Sequence, residues 1–150
     1  MELILWRHAD AEEGEPDRDR NLTSKGRKQA ARVAEWLQGR LPSKFTVIAS
    51  PARRARQTAE ALKSRFKTSE RLAPGAAVGE ILELAGWPRR RGVVVLVGHQ
   101  PDLGRVAAYL AAGAKADWSV KKGGLWWMVN RVRDRETQVV VRAVIAPDLI

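Results

Sequence analysis

Two imidazoles are all this chain has, and each stands where an apolar run stops. His8 follows Leu3-Ile4-Leu5-Trp6 and Arg7, and His99 follows Val93-Val94-Val95-Leu96-Val97-Gly98. Short runs of this kind, β-branched or aromatic in part, read as buried strands. In open α/β sheets, ligands bind at the carboxyl ends of the strands. An imidazole held there beside the permanent charge of Arg7 suits attack on, or charging by, a phosphoryl group. A lone histidine is usually a hydrogen-bonded residue at the edge of a core. Two in equivalent positions, one flanked by arginine, reverse that preference.

A third stretch supplies matching charge. Ser50-Pro51-Ala52-Arg53-Arg54-Ala55-Arg56-Gln57-Thr58 reads as a strand-to-helix turn loaded with guanidinium. A helix N-terminus already favours anions through its free N–H groups and positive dipole end. Arginine adds a planar fork that matches phosphate oxygens bidentately. Three arginines so close together cannot all point inward, so at least one belongs to a solvated face.

The elements that must position these groups follow from the patterning. Asp10 to Arg20 is acidic, contains Gly14 and Pro16, lacks periodicity, and reads as an exposed loop over the first strand's end. Thr23 or Ser24 caps a helix running to about Gln38, with Ala30, Val33, Ala34, Leu37 and Leu41 on its buried face. Thr46-Val47-Ile48-Ala49 is a short strand. Ser50-Pro51 then reads as an N-cap followed by a proline in the first turn of a helix whose inner stripe is Ala55, Ala59, Leu62 and Phe66. A weak strand is expected near Arg71-Leu72-Ala73 and a short helix over about Val78 to Ala85. Gly92 to Val97 is the clearest strand, as an unbroken β-branched run is what burial on both faces requires. After Gly98-His99-Gln100-Pro101 comes a helix with inner face Leu103, Val106, Ala107, Leu110 and Ala111. Leu125–Val132 and Gln138–Ile145 read as strands joined by a charged turn, the second near a sheet edge, with Trp126-Trp127 chiefly core packing. Alternating helices and strands imply an α/β fold with a mostly parallel, helix-covered sheet, in one domain spanning 1–150.

Bulk composition narrows the chemistry. Without cysteine there is no disulfide, thiol nucleophile or Cys-ligated metal. No stretch approaches the ~20 apolar residues of a membrane span, and the strand-like, acid-bearing start does not resemble a signal peptide. A cytoplasmic location is the expectation. The net charge of +10, from 27 Lys+Arg against 17 Asp+Glu, favours an anionic partner. Charge alone does not choose between nucleic acid, an acidic protein and a phosphate ester.

In order along the chain, Arg7-His8-Ala9, then Ser50-Pro51-x-x-Arg54-Ala55-x-Gln57-Thr58, then Val97-Gly98-His99 resemble the motifs of the histidine phosphatase superfamily. The shortness of the chain, the loop closing on Arg20-Asn21-Leu22-Thr23-x-x-Gly26, and Gly98-His99-Gln100-Pro101 resemble its small SixA-type phosphohistidine phosphatases. The resemblance implies a phosphoglycerate mutase-like fold, with His8 as the phosphorylated nucleophile. It further implies phosphoryl-binding roles for Arg7, Arg54 and, from the loop, Arg20, with His99 as a donor to the transferring group. No metal or organic cofactor is implied. Fixed positive groups suit a transition state whose charge spreads over the phosphoryl oxygens. Imidazole is a competent nucleophile at neutral pH, and nearby arginines should keep His8 uncharged by repulsion.

Two departures from the pattern carry information. Ala9 stands where the motif has glycine, so the backbone there must accept a Cβ. Asp10, Glu12, Glu80 and Glu83 are the candidates for a proton-donating acid, and none lies in a recognisable motif. Expelling an alkoxide demands a proton, whereas an imidazole leaving group is basic only near neutrality. The expected substrate is therefore a phosphohistidine on an acidic signalling protein, with a phosphorylated small molecule as the alternative. A basic nucleic-acid-binding module is the weaker reading, and no nucleic-acid or membrane partner is expected. Asp102, Lys121 and Lys122 are candidate contacts to a protein substrate.

Overall fold

The computed structural model describes residues 1–150. A six-stranded sheet in the order β3-β2-β4-β1-β5-β6 forms its centre. The strands are β1 (Glu2–Arg7), β2 (Thr46–Ala49), β3 (Lys67–Thr68), β4 (Val93–Gly98), β5 (Leu125–Arg133) and β6 (Glu136–Ile145). The first four are parallel; β5 runs antiparallel to β1, and β6 to β5. This is the mostly parallel α/β architecture that the patterning implies. β4 and β1, neighbours at the centre, are in register from Glu2 against Val93 to Arg7 against Gly98. Both histidines consequently leave the sheet at the same rim.

Helices cover both faces: α1 (Ser24–Gln38), α2 (Arg53–Glu60), α3 (Val78–Ala85) and α4 (Asp102–Ala112). Alternate residues of each central strand feed opposite faces, as the two-residue period demands. Ile4, Trp6, Val95 and Val97 pack on one side with Val33, Leu37 and Ala55. Leu3, Leu5, Val94 and Leu96 pack on the other with Ile81, Leu103 and Val106. A strand buried on both faces cannot alternate polar and apolar residues, which accounts for the unbroken Val93–Val97 run. Trp6, wholly buried, donates its indole N–H to the Gly123 carbonyl at 2.8 Å and so satisfies its one polar atom.

Several sequence expectations are corrected. β3 is the exposed pair Lys67–Thr68, and Glu70–Leu72 forms a 3-10 turn whose Leu72 is buried. α2 ends at Glu60, so Leu62 and Phe66 meet the core from the loop beyond it. Ser50-Pro51 is not its cap: Ala52 holds that position without a side-chain bond, and the Ser50 hydroxyl is engaged elsewhere. In α4, Ala108 is buried and Ala111 exposed. By contrast, Thr23 caps α1 by accepting from the Gly26 N–H at 3.0 Å, and β6 is the sheet edge. Trp127 packs edge-on against Trp36 in the core, and Trp126 lies against Trp118.

Candidate active site

At the carboxyl ends of β1, β2 and β4 the chain gathers the groups that the sequence singled out. His8 follows β1, its backbone N–H donating to the Gly98 carbonyl at 3.0 Å and its own carbonyl accepting from the Gly123 N–H at 3.0 Å. The residue is thus clamped between the ends of two structural segments. His99 follows β4 and its carbonyl accepts from the Leu103 N–H, which opens α4. The two rings lie 5.2 Å apart between centroids, tilted by 56°. Both are buried, at 8% and 3% exposure.

Arg54, in the first turn of α2 and 3% exposed, reaches between them. Its Nε donates to His8 Nε2 at 3.3 Å, and its Nη2 approaches His99 Nδ1 at 3.4 Å. Thr58, one turn further on, donates to the Arg54 carbonyl and accepts from the Ala9 N–H, tying α2 to the residue beyond His8. Ala9 is fully buried against Leu22 and Ala30, so its extra methyl fills core space and the backbone accepts it without a positive φ.

The proton positions follow from what each partner can do. His8 Nδ1 faces the Ala9 carbonyl at 2.8 Å, an acceptor only, so this nitrogen carries the hydrogen and Nε2 carries the lone pair. Arginine can only donate, so His99 Nδ1 is likewise the bare nitrogen, and His99 Nε2–H donates to Ser50 Oγ at 2.7 Å. Burial lowers the His8 pKa to about 4; the Ala9 hydrogen bond opposes this, and Arg54, Arg7 and Arg20 reinforce it. Burial, then the charges of His8 and Arg54, lower His99 to about 3. Both rings are neutral at pH 7. Desolvation, more than the repulsion expected from arginine, keeps His8 uncharged.

Arg7 and Arg20 complete the guanidinium set. Arg7 Nη1 donates to the Val120 carbonyl at 2.9 Å, while its buried Nε has no protein partner. Arg20 donates to the Glu12 carbonyl and, through Nε at 3.0 Å, to Asp17 Oδ1. The loop that carries it is closed at its base. Ala11 bridges to Leu22, Gln57 accepts from the Leu22 N–H, and Gly26 packs so tightly on the Asp10 carbonyl that a Cβ would fall 2.0 Å from the oxygen. A cavity of about 280 Å³ is lined by all five expected residues, Arg7, His8, Arg20, Arg54 and His99, together with Glu13, Gln100 and Lys122. A larger apolar groove of about 770 Å³ beside α3 and α4 holds no histidine.

Sequence reasoning overlooked three groups here. Asp17 places Oδ2 3.1 Å from Arg54 Nη2 and its main-chain carbonyl 2.9 Å from Nη1. Burial alone would raise its pKa, but Arg54 and Arg20 hold it below the usual carboxylate range. Ser50 serves His99, and Glu13 lines the cavity. None has a local signature: Asp17 meets Arg54, and Ser50 meets His99, only through the fold. Of the acids proposed from sequence, Asp10 is tied to Thr23 and Lys122, Glu83 pairs with Arg71 on the surface, and neither Glu12 nor Glu80 lines the cavity. Asp102 is not a rim contact. It is buried and accepts from the Gly75 N–H at 2.9 Å, pinning that loop; burial raises its pKa against the opposing N–H groups of Gly75 and Ala76.

The family model of the histidine phosphatase superfamily (branch 1) matches residues 3–77. The phosphohistidine phosphatase SixA of Escherichia coli is 30% identical over 122 residues, covering 75% of this chain and 76% of that one. The chain belongs to the histidine phosphatase superfamily. Its likeness to SixA extends beyond the matched segment. A structure described as a candidate phosphohistidine phosphatase SixA from Nakamurella multipartitia superposes with a TM-score of 0.80 at 27% identity, covering 97% of this chain and 95% of that chain. SixA complexed with tungstate has the same fold, with a TM-score of 0.79 at 23% identity and 99% of both chains covered. This histidine phosphatase is therefore of the SixA type, and phosphatase activity is the family's chemistry. No helix is long and apolar enough to cross a membrane.

Proposed function

We propose that this SixA-type protein hydrolyses phosphohistidine on a protein, through a phosphorylated His8. The observation that carries the reading is the state of His8: a buried, neutral ring whose lone pair at Nε2 lies within 3.3 Å of the Arg54 guanidinium. In the first step His8 Nε2 forms a bond to phosphorus and the P–N bond to the substrate imidazole breaks. The substrate ring leaves neutral when its other nitrogen carries a proton. His8 keeps its own hydrogen on Nδ1, held by the Ala9 carbonyl. The phosphorylated ring is consequently cationic, and water can take the phosphoryl group while His8 departs as neutral imidazole. The products are inorganic phosphate and the original enzyme.

Arg54, Arg7 and Arg20 would bind the phosphoryl oxygens in this scheme, with charge-assisted donors that need no reorganisation. Arg7 Nε, buried and unpaired, is a donor whose desolvation cost an oxyanion would offset. In its resting tautomer His99 turns its Nδ1 lone pair to Arg54 Nη2, 3.4 Å away. Ser50 can either accept from or donate to Nε2, because a hydroxyl does both. When a phosphoryl group enters, His99 would give up its Nε2 proton and take one from solvent at Nδ1, so that Ser50 O–H donates to Nε2 and Nδ1–H to a phosphoryl oxygen.

Support for an imidazole leaving group comes from the state of Asp17 and Asp10. Asp17 is held ionised by two arginines, and Asp10 is held ionised by Thr23 and Lys122. Neither can protonate a departing alkoxide, and a phosphohistidine does not ask for it. One observation favours a phosphomonoesterase instead: Glu13 lines the cavity and no hydrogen bond holds its carboxylate elsewhere. Comparing kcat/KM for a histidine-phosphorylated peptide and for sugar phosphates separates the two, with the peptide expected to be preferred. In both readings His8→Ala abolishes turnover, and acid-labile, base-stable phosphate on wild-type protein marks the intermediate. A wild-type rate in that variant refutes the nucleophile assignment.

A further inference from the structure

The cavity is bordered on one side by the acidic loop, and on the other it shares Lys122 with a second depression. This cleft, of about 600 Å³, is lined by no hydrophobic residue. Five cations define it: Lys25, Lys28 and Arg32 from α1, and Lys121 and Lys122 from the segment before β5. Asp148 is its one carboxylate. All five cations are exposed, and only Lys122 has an ion-pair partner, Asp10.

Their arrangement works against the helix that carries them. Lys25 lies in the first turn of α1 and Lys28 just beyond it; that turn contains no acid of its own, and the carboxylate at its Thr23 cap is Asp10. Local choices that cost stability without a visible structural return are expected at functional surfaces. Positions 25, 28 and 32 follow the i, i+3, i+7 spacing of one helix face and span about 10 Å at the helical rise of ~1.5 Å per residue. An open row of that length does not close around a compact anion. It does match a row of carboxylates on a macromolecule, and the cleft offers no aromatic ring on which a nucleobase could stack.

We propose that the cleft from Lys122 to Arg32 is the docking surface for an acidic polypeptide segment of the phosphorylated protein, seated while its phosphohistidine enters the cavity beside His8. The proposal rests on the phosphohistidine reading above. Exposed charges of this kind act mainly on encounter rate and respond to salt. They would discriminate among phosphoproteins without contributing to the chemical step.

Two phosphohistidine peptides of equal length test it, one flanked by glutamates and the other by serines. Wild-type protein should turn over the Glu-flanked peptide with about tenfold higher kcat/KM at low ionic strength, within the range of electrostatic steering, and near parity should return in high salt. The Lys25→Glu/Lys28→Glu variant should lose the preference while hydrolysing p-nitrophenyl phosphate within twofold of wild type. A preference that survives in the variant, or is missing from wild type, overturns the proposal. So does an oligo-dT that binds the cleft more tightly than the Glu-flanked peptide. If neither peptide is hydrolysed, the phosphohistidine reading has failed. Fluorescence anisotropy with the unphosphorylated Glu-flanked peptide, with and without the double substitution, then decides the surface alone: binding lost in the variant supports it, and equal binding overturns it.

Discussion

The floor of the cavity and its rim are built by different forces. His8, Arg54 and His99 form the floor, and each is less than a tenth exposed. They are fixed by strand register, by the clamp on His8, and by the bond that the Ala9 N–H donates to Thr58 Oγ1. The rim is the loop carrying Arg20, Asp17 and Glu13, joined to the floor where Asp17, its side chain 58% exposed, accepts from buried Arg54. Packing fixes a group to within fractions of an ångström, whereas exposed ion pairs are worth a few tenths of a kcal/mol to about 1 kcal/mol. If His8 is the nucleophile as proposed, the floor holds the reacting groups and the rim surrounds them. Substitutions in the two regions should differ by orders of magnitude.

The largest effect after that of His8→Ala is expected from Arg54→Ala. It removes the one guanidinium that meets both imidazoles, and arginines that stabilise transferring phosphoryl groups are worth roughly 10³-fold or more. kcat/KM should fall by about that factor while the far-UV circular dichroism spectrum stays unchanged. A loss of less than tenfold would move phosphoryl binding from the floor to Arg7 and Arg20. Ser50→Ala comes next, with a loss of about 10- to 100-fold in kcat and little change in KM; it removes the partner of His99 Nε2 and the acceptor of the Ala52 N–H. Ser50→Thr keeps the hydroxyl and should recover much of the rate. Equal loss in both variants would assign Ser50 to packing.

The same contrast decides how much the sequence can tell. Groups on the floor are legible because apolar runs such as Val93–Val97 announce their strands, and a histidine at the end of each needs no further information. α1 is legible from its period and its Thr23 cap. β3 is not, because a two-residue exposed strand leaves no hydrophobic trace. Ser50 looks like a helix cap because the Ser-Pro pair has that local meaning; its partner, His99, lies 49 residues away. Asp17 is one acid among many in a loop until Arg54, 37 residues on, is folded against it. Asp102 likewise passes for a surface charge until the Gly75 loop is seen to cover it. Local patterns predict elements; ion pairs and clamps between distant residues emerge only from topology.

Acid titration separates the two regions in another way. Unfolded histidines take up protons near their ordinary 6.5, but folded His8 and His99 refuse them until about 4 and 3. The unfolded state thus binds more protons in this window, and stability must fall as pH drops from about 6.5 toward 4. The rim acts lower: Asp17 is held below its usual 3.8, so its contribution is present above that value and lost as pH falls through the depressed one. Urea unfolding at a series of pH values should show the first decline well above pH 5, and His99→Gln should flatten it. A slope that begins only below pH 4 in wild type would place the acid lability at the carboxylates.

The smallest effect expected is at Asp17. Its carboxylate accepts from Arg54 Nη2 and from Arg20, two of the guanidinium groups proposed to hold the phosphoryl oxygens. An entering phosphoryl group carries the same charge and needs the same donors, so it must displace Asp17 or share arginines with it. Asp17→Asn removes the charge but leaves the main-chain carbonyl that accepts from Arg54 Nη1, so Arg54 keeps one of its anchors. Asp17 is the exposed partner of these pairs, and a pair so screened, at the ~0.2–1 kcal/mol scale, corresponds to about fivefold or less in binding. Phosphate and vanadate should inhibit the variant at concentrations two- to fivefold lower than wild type, with kcat altered less than that. Weaker inhibition would mean that the carboxylate aligns the arginines for substrate, and the rim would then belong with the floor as part of the phosphoryl-binding machinery.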